Sequence, residues 1–186
     1  MSSTSHEEEI KIPVSNLETL RRRLVEVGGA LEQAMQRERN VLLDTDRAAL
    51  TDNGRALRLR TWAGRAMLTF KGPVTYDGPV KIREELETAV GDVDCLEAIL
   101  GRLGLRPWIR YEKDRESWRL GPALVTLDHT PMGDFVEVEG PREEIGALAE
   151  KLGLDVGSAV RESYVSLWQS YRRVHGLGRD MVFEHH

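Results

Sequence analysis

The sequence predicts an α+β fold in which strands close into a β-barrel with helices packed outside. Three observations lead there. Eight short segments alternate with the two-residue period of strands. Several of them carry charges on one face and aliphatic residues on the other. At least three amphipathic helices need an apolar surface to cover, and only the outer faces of those strands supply it.

In chain order, residues 6–12 alternate as a strand, ended by Pro13. Ser15 and Glu18 form a capping box for a helix whose apolar stripe is Leu17, Leu20, Leu24 and Val25, stopping at Gly28-Gly29. Residues 34–44 follow as a strand, then a turn from Asp44 to Gly54 and a hairpin of 56–62 and 66–71 around Ala63-Gly64. Residues 75–78 read as a loop and 80–90 as a strand. A helix over 94–103 turns Leu96, Ile99, Leu100 and Leu103 inward and stops at Gly104. Strands at 109–119, 123–129 and 134–140 precede a helix opened by Pro141, carrying Ile145, Leu148 and Leu152 and closed by Gly153. Residues 158–175 form a last helix or pair of helices. One domain over 1–176 and a C-terminal tail over 177–186 are expected, with His185 and His186 read as the stub of a purification tag.

Composition narrows the function. Charged residues are 31% of the 186, yet the net charge is only −5 and the pI about 5.6. A nucleic-acid binder would carry a basic excess. A lone Cys95 excludes an internal disulfide and suggests a reducing, cytoplasmic setting. The N-terminus lacks the basic and apolar regions of a signal peptide. No apolar run approaches the roughly 20 residues of a membrane span.

The charges themselves are patterned. Side chains two apart on a strand share a face, and same-sign pairs recur at that spacing: Glu7/Glu9, Arg58/Arg60, Glu85/Glu87, Lys113/Arg115 and Glu137/Glu139. Like charges side by side repel, so a merely solvated face has no reason to repeat them. If these faces line a barrel interior, each ion must be paired or ligand-bound to offset several kcal/mol of lost hydration. Carboxylates suit Mg²⁺ or Mn²⁺; Arg and Lys suit phosphate. A metal-bound polyphosphate uses both. No P-loop is present, so side chains would hold the phosphates.

Glu7-x-Glu9-x-Lys11, followed by LRLR at 57–60, LTFKGP at 68–73, REELE at 83–87, KDRESW at 113–118 and LDHTPMGDFVEVEG at 127–140, resembles the CYTH superfamily, the triphosphate tunnel metalloenzymes. The run from ALRLR to FVEVEG most resembles the class IV adenylate cyclase branch; thiamine triphosphatases and tripolyphosphatases are related. The resemblance implies an eight-stranded antiparallel tunnel and one or two Mg²⁺ or Mn²⁺ ions. It implies Glu7, Glu9, Asp128, Glu137 and Glu139 as metal ligands. Lys11, Arg58, Arg60, Lys71, Lys113 and Arg115 become the phosphate clamp, with Arg83 added to it. Glu85 is assigned to the metal surroundings. Lys11 and Glu85 are the candidate catalytic groups.

Two reactions are open: cyclisation of ATP to cyclic AMP and pyrophosphate, or hydrolysis of tripolyphosphate, thiamine triphosphate or a nucleotide. Cyclisation needs a base pocket, for which Trp62, Tyr76, Trp108 and Tyr111 are candidates. A non-catalytic polyphosphate-binding module is a third reading, opposed by the five acids. Neither nucleic acid nor a membrane is an expected partner; a homodimer is. His6 and His129 flank the acids but are read as rim residues, since imidazole is a poor Mg²⁺ ligand.

Overall fold

The computed structural model describes residues 5–184, with side chains from Glu7 onward. His6 as a rim residue and the paired histidines at the C-terminus as a tag stub therefore lie outside the described residues. Eight strands are present: β1 (Ser5–Val14), β2 (Ala30–Asp44), β3 (Ala56–Trp62), β4 (Arg65–Asp77), β5 (Val80–Ala89), β6 (Arg106–Leu120), β7 (Ala123–Thr130) and β8 (Gly133–Glu139). They close in the order β1-β5-β4-β3-β2-β6-β7-β8, every barrel pairing antiparallel. Four helices lie outside: α1 (Leu17–Glu26), α2 (Val93–Arg102), α3 (Arg142–Lys151) and α4 (Tyr164–His175). The α+β barrel expected from the strand faces is the fold observed.

The alternation works as physics demands. On β1, Ile10 and Ile12 point outward into a core shared with Leu17, Leu20 and Leu24 of α1 and Ile145 and Ala149 of α3. Val125, Leu127, Val136 and Val138 complete that wall from β7 and β8. The two strand–helix units β1–α1 and β8–α3 thus share one core, because β1 pairs with β8.

Several boundaries differ from expectation. Pro13 lies within β1, opposite Phe135, where β1 runs on to Val14. The helix cap is Asn16, whose side chain accepts from Thr19 N; the Ser15 capping box does not form. Val25 faces solvent, and so do Ile99 of α2 and Leu103 just after it, leaving Leu100 as that helix's buried anchor. Residues 75–77, expected as loop, extend β4 to a turn at Gly78, where φ is +58°. Residues 177–184, expected as a tail, pack on β6. Met181 forms a parallel bridge to Tyr111 and is fully buried. Among the described residues no helix is long and apolar enough to cross a membrane.

Candidate active site in the barrel lumen

The inward faces enclose a cavity of about 370 Å³. Glu7, Glu9 and Lys11 enter it from β1, Arg58 and Arg60 from β3, Lys71 from β4, Arg83 and Glu85 from β5, Lys113 and Arg115 from β6, and Glu137 and Glu139 from β8. Twelve of the thirteen predicted site residues therefore line one space; Asp128 lies behind it.

The acids group on adjacent strands. Glu9 is the register partner of Glu139, and Lys11 of Glu137. Most of these carboxylates lean on cations: Glu7 on Lys71 at 3.3 Å, Glu9 on Lys81, Glu137 on Lys11 at 3.3 Å and on Arg115. Burial alone would push Glu7 up, but Lys71, a hydrogen bond with Glu85 and Lys81 prevail and hold it below the usual range. Glu137 is held low by Lys113, Arg115 and Lys11 against the same burial. Glu139 has no such partner. Burial, then Glu7, Glu9 and Glu137, raise it to about 7. Glu85 is raised to about 8 by burial and by its hydrogen bond with Glu7, so that pair shares a proton that sits on Glu85.

That concentration of negative charge fits a divalent cation, which would replace proton and lysine as the partner of Glu7, Glu9, Glu137 and Glu139. Their oxygens are the hard donors Mg²⁺ and Mn²⁺ prefer. Among the described residues no three acids already converge as a ligand set.

Asp128, expected among the metal ligands, is placed differently. It is fully buried, and its carboxylate accepts from Arg115 Nε and Nη2, both at 2.6 Å, from Lys113 Nζ at 3.1 Å and from the Tyr164 hydroxyl at 2.6 Å. Four donors fill its acceptor capacity. Arg83, expected on phosphate, donates instead to the carbonyls of Gly72 (2.6 Å) and Gly54 (3.2 Å). Lys11, a candidate catalytic group, is ion-paired with Glu137 and donates to Glu162 O at 3.3 Å.

Three groups in or behind the lumen escaped the sequence reading. Lys81 shares the face of Arg83, Glu85 and Glu87, and the two-residue period pointed to it. Glu38 on β2 is fully buried and held at about 2 by Lys113, Arg115 and Arg58 against burial; flanked by arginines, it lacked a same-sign partner to mark it. Tyr164, at the start of α4, had no such signal at all. Of the aromatic candidates, Trp62 and Tyr111 line the lumen. Tyr76 is exposed and donates to Arg161 O; Trp108 lies beneath Arg179. His129 is half exposed and paired with Asp134.

Among the described residues, five buried polar atoms in or beside this lumen have no hydrogen-bond partner: Arg58 Nε, Trp62 Nε1, Thr126 Oγ1, Glu38 Oε2 and Asn40 Oδ1. Buried polar groups are normally satisfied, so the interior is built for something polar. The family model for the CYTH domain matches residues 5–164.

The chain belongs to the CYTH family.

CYTH proteins are metal-dependent, triphosphate-processing enzymes. No curated protein sequence matches the chain. Among solved structures, a candidate adenylate cyclase from Vibrio parahaemolyticus is similar at TM-score 0.80 and 23% identity, covering 90% of this chain and 99% of its own. The PH1819 protein of Pyrococcus horikoshii aligns at TM-score 0.71 and 26% identity, covering 89% and 99%. HpAC1 from Hippeastrum, a candidate adenylyl cyclase with a dominant triphosphatase activity, aligns at 0.66 and 17%, covering 89% and 96%.

Proposed function

We propose that this CYTH protein binds the triphosphate of ATP along the tunnel and converts ATP to cyclic AMP and pyrophosphate, as a class IV-type adenylate cyclase. The observation that carries the reading is the meeting of two charge sets in one cavity. Arg58, Arg60, Lys113 and Arg115 supply fixed donors from β3 and β6; Glu7, Glu9, Glu137 and Glu139 supply a carboxylate pole from β1 and β8. The cations hold the phosphate chain extended and offset charge that builds on its oxygens during transfer.

The four carboxylates would hold the divalent ion, which supplies further positive charge to the phosphate oxygens. In cyclisation the ribose 3′-oxygen forms a bond to the α-phosphorus, the bond to pyrophosphate breaks, and the hydroxyl proton must leave. Glu85 is our candidate to take it: a divalent ion at Glu7 would offset the repulsion that otherwise keeps Glu85 protonated, leaving its carboxylate free to accept the proton. Trp62 continues the inward face of Arg58 and Arg60, and its unpartnered indole N–H offers a neutral contact for a base. Asp128 acts as the anchor of Lys113 and Arg115.

A second reading, triphosphatase, draws on the activity of the Hippeastrum protein and on a lumen charged along most of its lining. Incubating the protein with ATP, thiamine triphosphate and tripolyphosphate, each with Mg²⁺ or Mn²⁺, decides. Cyclic AMP with pyrophosphate supports the cyclase. ADP with phosphate, or cleavage of tripolyphosphate alone, replaces it with the hydrolase. Tight triphosphate binding with no turnover under either metal would make the protein a binding module.

A further inference from the structure

Behind the clamp sits a residue with no assigned role. Tyr164 opens α4, is 7% exposed, and reaches the lumen between two lysines. Its hydroxyl donates to Asp128 Oδ2 at 2.6 Å. Its ring centroid lies 4.3 Å from Lys11 Nζ and 4.7 Å from Lys113 Nζ, so one ring serves two ammonium groups. Phe135 meets the ring edge-on at 5.2 Å.

We propose that Tyr164 is a positioning residue of this site: through Asp128 it sets where Lys113 and Arg115 meet bound phosphate, and it ties that placement to α4. The proposal rests on the tunnel being a phosphate-chain site. Asp128 holds both clamp cations with one carboxylate, and the Tyr164 hydroxyl takes a share of the same oxygen as Lys113. Remove that donor, and Asp128 draws harder on Lys113 and Arg115, which must then give up more to turn toward phosphate.

The tyrosine is itself fixed from two sides. Val160 N donates to Lys11 O at 2.8 Å and Lys11 Nζ donates to Glu162 O, lacing the approach to α4 onto β1. On the far side, Trp168 Nε1 donates to Arg179 O at 2.9 Å, while Met181 bridges Tyr111. The segment 177–184 thus braces α4, and α4 braces the clamp. The CYTH match ends at residue 164, so this brace lies outside the matched region.

Tyr164→Phe removes the hydroxyl and keeps the ring; Trp168→Phe loosens the brace at a distance from the lumen. Calorimetric affinity for tripolyphosphate and for ATP with Mg²⁺, half-saturating Mg²⁺ and melting temperature are measured for each. Tyr164→Phe should weaken tripolyphosphate roughly tenfold, the scale of one hydrogen bond to a charged group, with half-saturating Mg²⁺ unchanged. Trp168→Phe should weaken it less, in the same pattern. Unchanged affinity in Tyr164→Phe overturns the proposal, as does a lower melting temperature without weaker binding. A shift confined to Mg²⁺ overturns it too, making Asp128 a metal ligand after all. Unchanged affinity in Trp168→Phe removes the tie to α4. Wild-type protein that binds neither tripolyphosphate nor ATP defeats the triphosphate reading itself, and this proposal with it.

Discussion

The two walls of the barrel are built to different standards. The wall of β1, β6, β7 and β8 is backed by α1, α3 and α4, with Ile10, Leu24, Val125, Leu127, Val138 and Ile145 almost wholly removed from water. The wall of β3, β4 and β5 meets α2, with only the start of β5, at Val80 and Ile82, reaching the core of α1 and α3. Among the described residues its core has three well-buried members, Leu59, Leu100 of α2 and Leu43 from the adjoining β2, and Ile99 is 51% exposed. The lumen follows the same division. On the thick side Lys113, Arg115 and Asp128 interlock with one another and with Glu38 of the adjoining β2, and Asp128 is at 0% exposure. On the thin side Arg60 and Glu87 stay partly open to water and meet at 3.3 Å. Rigid cations beside a looser wall suit a site that must hold phosphate firmly and still admit it.

The sharpest way to break this comparison is to remove one acid from each wall. Asp128→Asn leaves Arg115 and Lys113 buried and undercompensated, and should cost about 3–5 kcal/mol in urea unfolding. Glu87→Gln should cost about 0–1 kcal/mol, as partly exposed pairs do. Equal losses would mean the walls do not differ. Packing gives a somewhat smaller contrast. Leu24→Ala, at a site with 0% exposure, should cost about 2–5 kcal/mol, and Ile99→Ala within about 0.5 kcal/mol. A comparable loss at Ile99 would reveal a partner covering α2.

The difference between the walls also explains what the sequence could say. Period-two alternation sorted inside from outside for β1, β3, β5, β6 and β8, because a strand offers only two faces. It could not tell which inward charges face the cavity and which face one another. The resemblance marked Asp128 for metal and Arg83 for phosphate; Asp128 accepts from four donors, and Arg83 lines the cavity while donating to backbone carbonyls. The helical stripe misplaced Ile99 and Leu103, because amphipathic spacing marks a face without showing that anything covers it. Tyr164 was invisible: its role comes from β7 and α4 meeting across the barrel, 36 residues apart along the chain.

The smallest predicted effect tests the acidic pole on the thick wall. Glu139 sits at about 7, raised by burial and by Glu7, Glu9 and Glu137. Between the ordinary carboxylate range and about 7 the folded protein therefore holds a proton that the unfolded chain has released. By linkage, stability must fall as pH rises through that window. Glu7 and Glu137 act with the opposite sign: held low in the folded state, they lose stability only on acidification below the ordinary range. Glu85, at about 8, repeats the Glu139 behaviour slightly higher. Without metal, the melting temperature should thus decline from pH 5 to pH 8. Mg²⁺ should flatten the decline, since a divalent cation offsets the same repulsion as the proton. Glu139→Gln should flatten it without metal and weaken the response to Mg²⁺. A wild-type profile that is level from pH 5 to 8, or one that Mg²⁺ leaves unaltered, would show that these carboxylates do not form one pole.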